Sequence, residues 1–561
     1  MPRPLRSNFP RGSSLWAVRR AQWRALGLTV ADMEKPKIAV VNTSSELAIC
    51  FSHLDRIVPV VKEAIRAAGG LPFEVRTAAP SDFIHSAGRR GTYILPSRDL
   101  IVNDIEVQVE GAQLDGMICL TSCDKTVPGH LMAAARLDIP TLLVICGYQG
   151  SGEYRGHHMD IEEVFLGAGH HATGKITLDE LKDMSETAIT SPGVCSGMGT
   201  ANSMHSVCEG LGMSLPGGAP VAAMSPAALE HARASGRRIV EMVEEDLRPR
   251  QVLTRAAFAN AAAVVLALTG SINCIKHLQA TAVEAGLDLD VYKLFEQQIE
   301  RIPVLCAVRP NGETSIEELE AGGGARAVMK QLGDLIDPSA LTVTGKTVAG
   351  NLANYSLPAG SHVRARADAL SNKPGIVIVR GSLAPDGGII KMGLRWDRPL
   401  KVTGRAKTFG AWEHAFEALK AGNIEKGDVV VLRGIGVKGG PGMGMASRIV
   451  FALDGAGLGA DVPVVTDGQL SGLVNKGLVV GEVTPEAAIG GPLGLVEDGD
   501  AIIIDVEART VDLDIAPDEL AQRRARFKPP APPPDNSWVN IYERSVQPLS
   551  RGAALVGRKP G

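Results

Sequence analysis

The feature that most constrains the fold of this chain is a set of short apolar runs that alternate with helix-patterned segments near the N-terminus. The run Lys37–Asn42 and the runs at residues 116–120 and 140–146 each predict a buried strand. Helical periodicity lies between them, at residues 54–68 and 98–112. Strands that alternate with helices at this spacing predict an α/β domain, in which reacting groups gather where strands end in loops.

The pattern changes after about residue 350. Residues 351–374, in which Gly, Ser, Asn and Pro cluster, predict a linker between an N-terminal domain (1–350) and a C-terminal domain (375–561). Short Val/Ile runs then recur between Gly-rich turns, at residues 375–380, 428–433, 462–466 and 500–506. These runs predict a β-rich, barrel-like second domain.

Composition argues against several classes of function. The chain has 561 residues, a formal net charge of -4 and only 4% aromatic residues, so nothing favours nucleic acid or an anionic membrane as a partner. No apolar run reaches the roughly 18 residues of a membrane span. The eight cysteines are sparse, and none follows Cys306, which indicates free thiols in a reducing compartment and hence a cytoplasmic protein.

The first 31 residues contain six Arg and no acidic residue, a composition that mitochondrial transit peptides share. Residues 14–28 also have the pattern of an amphipathic helix capped by Ser, and no apolar signal core is present. We favour the helix, and the transit peptide is the alternative.

Three unlike chemical groups stand side by side where the strand at 116–120 ends. Cys123 offers a thiolate, Asp124 a carboxylate and Lys125 an amine. Taken alone, this triplet is more simply explained as a buried cysteine beside a surface Asp-Lys pair. Two further cysteines change that interpretation: Cys50 follows the strand Lys37–Asn42, and Cys195 lies in a Gly-rich turn that opens a helix.

Cys50, Cys123 and Cys195 fit an iron–sulfur cluster with one iron left open, which could act as a Lewis acid on a substrate oxygen. Structural zinc would want four ligands, usually in Cys-x-x-Cys pairs, and the sequence has none. Asp82 and Asp124 could hold Mg²⁺, which prefers oxygen ligands. Lys125 would repel that ion as an ammonium and could help only as a neutral, carbamylated amine.

Several motifs identify a family resemblance. Cys-Asp-Lys-x-x-Pro-Gly at 123–129 and Gly-x-Cys-x-Gly-Met-x-Thr-Ala-Asn at 193–202 resemble motifs of the dihydroxy-acid and sugar-acid dehydratases. Residues 95–99, 269–278, 380–387 and 466–472 match that family in kind and order, so the resemblance covers nearly the full chain.

The resemblance implies a hydro-lyase that converts a small 2,3-dihydroxy carboxylic acid into a 2-oxo acid. Cys123 and Cys195 would ligate the cluster, and Cys50 matches the cysteine that marks the [2Fe–2S] branch. Mg²⁺ would be bound by Asp82, Asp124 and carbamylated Lys125, and Ser471 would be the base that removes the C2 proton. A homodimer or homotetramer is also implied.

Three positions depart from the family pattern. The usual Gly-Met-Pro-Glu-Met, whose Glu completes the magnesium site, is replaced by Gly-Met-Gly-Met at 442–445. Gln469 stands where Arg is usual, and Ser382 stands where Asn is usual. These changes predict a more permissive pocket and favour a sugar acid such as a pentonate over the branched dihydroxy acid of amino-acid biosynthesis, 2,3-dihydroxyisovalerate.

Other functions are less well matched. The histidines at 157, 158, 170 and 171, with Asp160, form no compact zinc motif and fit a polar loop better than a hydrolase site. The glycine run at 439–444 lacks the Gly-Lys-Ser/Thr ending of a phosphate loop and predicts a tight turn. A non-catalytic iron–sulfur sensor is the remaining alternative, against which Ser471 and the metal-binding carboxylates argue.

Overall fold

A computed structural model describes residues 4–443, 446–472, 474–530 and 537–555. The N-terminal part contains a four-stranded parallel sheet of β1 (Lys37–Asn42), β2 (Leu71–Arg76), β3 (Gly116–Thr121) and β4 (Thr141–Ile145), in the order β2-β1-β3-β4. All residues of β1, β3 and β4 are buried, as expected for a parallel sheet that is covered on both faces. The predicted α/β domain and its three strands are therefore confirmed.

Sixteen α-helices of the described chain surround or follow this sheet, and most of their ends carry recognisable caps. The longest, Pro226–Glu245, begins with Ser225 as its N-cap and a proline in its first turn, and it ends at Asp246 in the left-handed conformation. In chain order the helices are α1 (Ser14–Ala25), α2 (Leu54–Ala67), α3 (Asp82–His85), α4 (Ile94–Ile105), α5 (Thr126–Leu137), α6 (Ile161–Ala172), α7 (Leu178–Thr187), α8 (Thr200–Gly210), α9 (Pro226–Glu245), α10 (Pro249–Val252), α11 (Arg255–Ala267), α12 (Asn273–Ala285), α13 (Val291–Gln298), α14 (Ile316–Ala321), α15 (Gly324–Leu332) and α16 (Val348–Leu352).

The predicted helix at 54–68 is confirmed, whereas the one at 98–112 differs in its bounds. It starts earlier, as α4, because Pro96 lies in the first turn, where a missing N–H costs nothing. It continues as a π-helical turn over Glu106–Glu110. A small hairpin of β5 (Gly152–Tyr154) and β6 (His157–Met159) precedes α6.

The C-terminal part is built on an eight-stranded mixed sheet. Its strands are β7 (Ile376–Val379), β8 (Gly387–Lys391), β9 (Lys401–Phe409), β10 (Asp428–Leu432), β11 (Val464–Thr466), β12 (Val479–Thr484), β13 (Ala501–Asp505) and β14 (Thr510–Asp514), in the order β14-β13-β9-β10-β11-β12-β8-β7. A bridge between Arg380 and Thr510 joins the two outer strands, so the sheet is nearly closed. The predicted barrel-like domain is confirmed. It also carries α17 (Trp412–Lys420), α18 (Ser447–Gly455), α19 (Pro517–Arg526) and α20 (Trp538–Ser545).

The barrel strands divide their side chains between two hydrophobic cores. In β7, Val377 and Val379 fill the barrel interior, whereas Ile376 and Ile378 pack with the core of the N-terminal part. This alternation follows from the two-residue period of a strand. One face of the barrel therefore packs against the N-terminal part, and a site near that contact can include residues of both parts.

The segment predicted as a linker follows α16. Its described structure is irregular up to β7 except for a short 3-10 turn at Arg366–Asp368, and the division into two independent domains stays a prediction. Among the described residues, no helix combines the length and the apolarity that crossing a bilayer requires.

Candidate active site

The three predicted cluster cysteines come together at the carboxyl end of the parallel sheet. Cys50 lies in the loop after β1 and Cys123 directly after β3, and these strands are parallel neighbours. The turn before α8 brings Cys195 to them. Gly193 in that turn donates its N–H to the Ile49 carbonyl, 3.3 Å away, and has φ +133°. A Cβ there would lie 2.3 Å from the Tyr148 carbonyl carbon, so only glycine allows this approach.

The electrostatics of the thiols reflect their proximity. A hydrogen bond with the Cys50 thiol and burial together raise the pKa of Cys123 well above its ordinary value. Burial raises the pKa of Cys195 in the same way, and the charges of Asp124 and Cys50 add to it. The raised pKa values of Cys123 and Cys195 disfavour their thiolates, which fits a site in which a cationic iron centre stabilises the ionised form.

Asp82, Asp124 and Lys125 form a second group beside the thiols. The Lys125 side chain is fully buried, and its Nζ lies 2.7 Å from Asp82 Oδ2. Burial lowers the pKa of Lys125, but the carboxylates of Asp82 and Asp124 outweigh burial and raise it. Burial and the charge of Asp82 raise the pKa of Asp124 to about 7, while hydrogen bonds from Thr200 and Ala201 oppose that rise.

The oxygen atoms of this group fit a cation. Asp82 Oδ1 is buried and has no hydrogen-bond partner among the described residues. A buried carboxylate oxygen without a donor is costly unless a positive charge compensates it. Lys125 supplies one such charge, and a divalent cation with oxygen ligands would supply more.

Ser471 lies in the loop that joins β11 to β12. Its N–H donates to Ser447 Oγ, 2.7 Å away, at the first residue of α18. Asp467 anchors the same loop by accepting the N–H groups of Gly434, Ile435 and Ala487 at 2.9–3.1 Å. The buried Lys391 ammonium donates to the Gly472 carbonyl. The loop is thus held on both sides of the serine.

A tight contact places this loop on the cluster-bearing part of the chain. A Cβ at Gly472 would lie 2.7 Å from the N of Thr200 and 2.8 Å from its Oγ1. Asn273 at the start of α12 donates from Nδ2 to Thr200 Oγ1 at 2.9 Å and to the Leu470 carbonyl at 3.1 Å. Because Thr200 also hydrogen-bonds Asp124, the structure joins the Ser471 loop to the carboxylate group through one residue.

Sequence reasoning missed the residues that join the two parts of the chain. They are Thr200, Asn273 and Lys391, described above, and the ion pair between Lys276 on α12 and Glu482 on β12. Their signal was present in α12, where Asn273, Lys276 and His277 interrupt a helix that is buried at every position. Polar side chains in such a helix need specific hydrogen-bond partners. That requirement makes them candidates for contacts with another part of the chain.

The three departures from the family pattern have different surroundings. Gln469 is buried within the Ser471 loop, and its Oε1 has no partner among the described residues. Ser382 lies at the barrel seam, where its Oγ accepts the Leu513 N–H at 2.9 Å. The backbone of β14 therefore engages Ser382. Gly444 and Met445 lie outside the described residues.

The histidine-rich loop has a structural explanation. Asp160 caps α6, accepting the Glu162 N–H at 2.6 Å, and Glu163 accepts the Asp160 N–H at 3.0 Å. His158 lies 3.5 Å from Asp160 and completes a group of three possible metal ligands. A capping box accounts for both carboxylates without an ion.

Comparison with known sequences decides the family. Residues 35–351 match the N-terminal model of the dihydroxy-acid/6-phosphogluconate dehydratases, and residues 361–553 match the C-terminal model. The chain belongs to this dehydratase family. The chain is accordingly a hydro-lyase. Members of the family generally use an iron–sulfur cluster and Mg²⁺.

Individual members of the dehydratase family match over almost their whole length. The dihydroxy-acid dehydratase of Syntrophobacter fumaroxidans is 39% identical over 555 residues, which cover 98% of this chain and 99% of the relative. The enzymes of the same name from Ignicoccus hospitalis and Methanococcoides burtonii are each 39% identical, covering 96% and 98% of this chain and 98% and 100% of the relatives.

Proposed function

We propose that this dehydratase removes water from a 2,3-dihydroxy carboxylic acid to give a 2-oxo acid, with Ser471 as the base. The observation that supports the proposal is the close approach of Gly472, the neighbour of Ser471, to Thr200, which hydrogen-bonds Asp124. Active sites commonly form between two parts of a chain in this way.

The residues present fit the two cofactors of the family. We assign Cys50, Cys123 and Cys195 to a [2Fe–2S] cluster and Asp82, Asp124 and carbamylated Lys125 to Mg²⁺. When bound, the cation would polarise the substrate carboxylate and C2 hydroxyl, and the open iron would act as a Lewis acid toward the C3 hydroxyl. The carbamate needs a neutral amine, so Lys125 must first lose the proton that Asp82 and Asp124 hold on it.

The chain's own residues accept the proton and position the loop that carries the base. Ser471 would accept the C2 proton, a task for which its hydroxyl must be ionised by nearby positive charge. Lys391 fixes the carbonyl of the next residue and Ser447 fixes the N–H of Ser471, so the loop enters the reaction with little freedom. Such preorganisation is a major source of rate enhancement.

We propose 2,3-dihydroxyisovalerate as the first candidate substrate. The relatives are named dihydroxy-acid dehydratases, which favours this acid over the sugar acid that the sequence pattern favoured. The hydrogen bond of Ser382 to β14 also weakens the argument for a roomier pocket. A pentonate remains the second candidate, because the Oε1 of buried Gln469, which has no partner within the described part of the chain, would suit a substrate rich in hydroxyl groups.

A substrate panel tests the proposal. The iron-loaded enzyme, handled without oxygen and supplied with Mg²⁺, is given 2,3-dihydroxyisovalerate, pentonates, hexonates and glycerate, and release of 2-oxo acid is measured. We expect the branched acid to give the highest kcat/KM. Preferred turnover of a pentonate would reverse the order of the candidates, and no turnover of any acid by protein with an intact cluster would contradict the function.

The assembly and location of the dehydratase are further proposals from the family resemblance. We propose a cytoplasmic homodimer or homotetramer. Light scattering at micromolar concentration should show two or four copies, and a monomer would contradict this.

A further inference from the structure

A fully buried ion pair links the two parts of the chain close to the proposed site. The ammonium of Lys276 on α12 contacts Glu482 Oε1 on β12, and both side chains are 0% exposed. Removing two charges from water carries a large desolvation cost, and replacing such a pair by apolar residues is often neutral or stabilising. The pair is therefore poorly explained as a device for stability alone.

Lys276 has a second partner, Asn273, whose side-chain amide it orients. Its Nζ donates to Asn273 Oδ1 at 2.5 Å. An ammonium has only donors, so the atom of Asn273 that faces it must be the carbonyl oxygen. The amide nitrogen of Asn273 then has to point the other way, toward Thr200 Oγ1 and the Leu470 carbonyl. Reversing the amide would set NH₂ against the ammonium and remove both of those bonds.

The two acceptors of Asn273 belong to opposite halves of the proposed site. Leu470 directly precedes Ser471, so its carbonyl fixes the backbone that carries the base. Thr200 hydrogen-bonds Asp124, one of the carboxylates assigned to the cation. A single amide therefore bonds both the barrel loop and the residue that hydrogen-bonds the carboxylate, and Lys276 fixes the orientation of that amide.

The backbone of Glu482 is shaped to present its carboxylate to Lys276. Glu482 lies at an irregularity of β12 with φ +53°, a conformation that is costly for a residue with a side chain. Its N–H donates to the Gly468 carbonyl at 3.2 Å, in the loop that leads to Ser471. Glu482 thus touches the serine loop by its backbone and α12 by its side chain.

We propose that Lys276 and Glu482 act as positioning residues for the reaction. The buried pair orients Asn273, and Asn273 holds the Ser471 loop against the helix end that serves Asp124. The consequence for catalysis rests on the proposed function, whereas the consequence for loop order does not.

The test compares Lys276→Met/Glu482→Leu, which removes both charges from the interior, with the wild type. Loop order is read by hydrogen–deuterium exchange over residues 466–476, and catalysis by kcat and KM. We expect exchange in this loop to rise at least tenfold and kcat to fall about 10–100-fold, since an error of about 1 Å in a reacting group costs about 100-fold. KM and iron content should change less than about twofold, because neither the substrate nor the iron is bound by these residues.

A matched control uses a second, largely buried ion pair that involves the same helix. Arg136→Met/Glu284→Leu removes a pair that joins α12 to α5, away from the barrel. This control should leave loop exchange and kcat within about twofold of wild type. Asn273→Ala keeps the ion pair but removes the amide, and it should reproduce the faster exchange and lower kcat even if the charge-free variant does not fold.

Wild-type exchange and kcat in Asn273→Ala, or in a folded Lys276→Met/Glu482→Leu variant, would overturn the proposal. An equal rise in loop exchange in the control pair would overturn it as well, because the effect would then be one of general stability. If the wild type turns over no dihydroxy acid, the proposed function fails, and the exchange measurement still decides whether these residues hold the loop.

Discussion

Substitution of Gly472 by alanine tests the contact on which the candidate site depends. The added Cβ would lie 2.5 Å from Ser271 Oγ, 2.7 Å from the N of Thr200 and 2.8 Å from its Oγ1. These distances fall 0.6–0.9 Å short of the ordinary contact distance of 3.4 Å. The Thr200 nitrogen belongs to the backbone of α8, so the Ser471 loop has to move instead.

The displacement predicts both a stability cost and a larger catalytic cost. Overpacking of this kind lowers the free energy of unfolding by about 1–3 kcal/mol. A shift of the base by nearly 1 Å should lower kcat about 30–100-fold. Thermal unfolding and steady-state rates measure the two effects on protein of matched iron content.

The matched control is Gly410→Ala. No atom of the described residues lies within 4 Å of the position that a Cβ on Gly410 would take, so this variant should keep wild-type stability and kcat. A wild-type kcat in Gly472→Ala would refute the reasoning, because the serine loop would then tolerate displacement from α8.

Two further predictions concern the cofactors. Replacing Cys50, Cys123 or Cys195 by Ser should abolish the visible absorbance of a cluster and leave less than about half of the wild-type iron. Cys146→Ser, whose thiol donates to the Val144 carbonyl at 3.4 Å, should keep both, and equal iron in all four variants would contradict the assignment. Because the pKa of Asp124 is raised from 3.8 to about 7 in the folded metal-free protein, the folded state holds a proton that the unfolded state has lost over that range. The free energy of unfolding without Mg²⁺ should therefore decrease as the pH rises from about 4 to 7. Over the same range the Mg²⁺ dissociation constant should fall up to about tenfold per pH unit, because the cation binds the ionised carboxylate. Equal pH dependence in Asp124→Asn would contradict both expectations.

The parts of the fold that sequence predicted well are those with a local signal. The strands β1, β3 and β4 are continuous apolar runs, and burial on both faces is the physical reason for that pattern. The strand β9 has no continuous apolar run, because Lys401 and Arg405 on it are exposed and Lys407 is half-buried. Closure of the barrel depends on the bridge between Arg380 and Thr510, which no local pattern announces.

The candidate site divides in the same way. Cys123, Asp124 and Lys125 could be predicted because they follow a strand directly, where the chemistry of neighbouring residues is visible in the sequence. The contacts that join the two halves could not, since Lys276 and Glu482 lie 206 positions apart and Asn273 meets Leu470 across 197. Only the packing of the barrel on α12 makes these residues neighbours.

The most direct test of the account compares wild type with Ser471→Ala, both with the same iron content and saturating Mg²⁺, for release of 2-oxo acid from 2,3-dihydroxyisovalerate and a pentonate. Loss of a catalytic base costs about 10²–10⁴-fold, so the variant should retain at most about 1% of the wild-type kcat while keeping its cluster absorbance. A Ser471→Ala enzyme that releases 2-oxo acid at the wild-type rate would contradict the central claim.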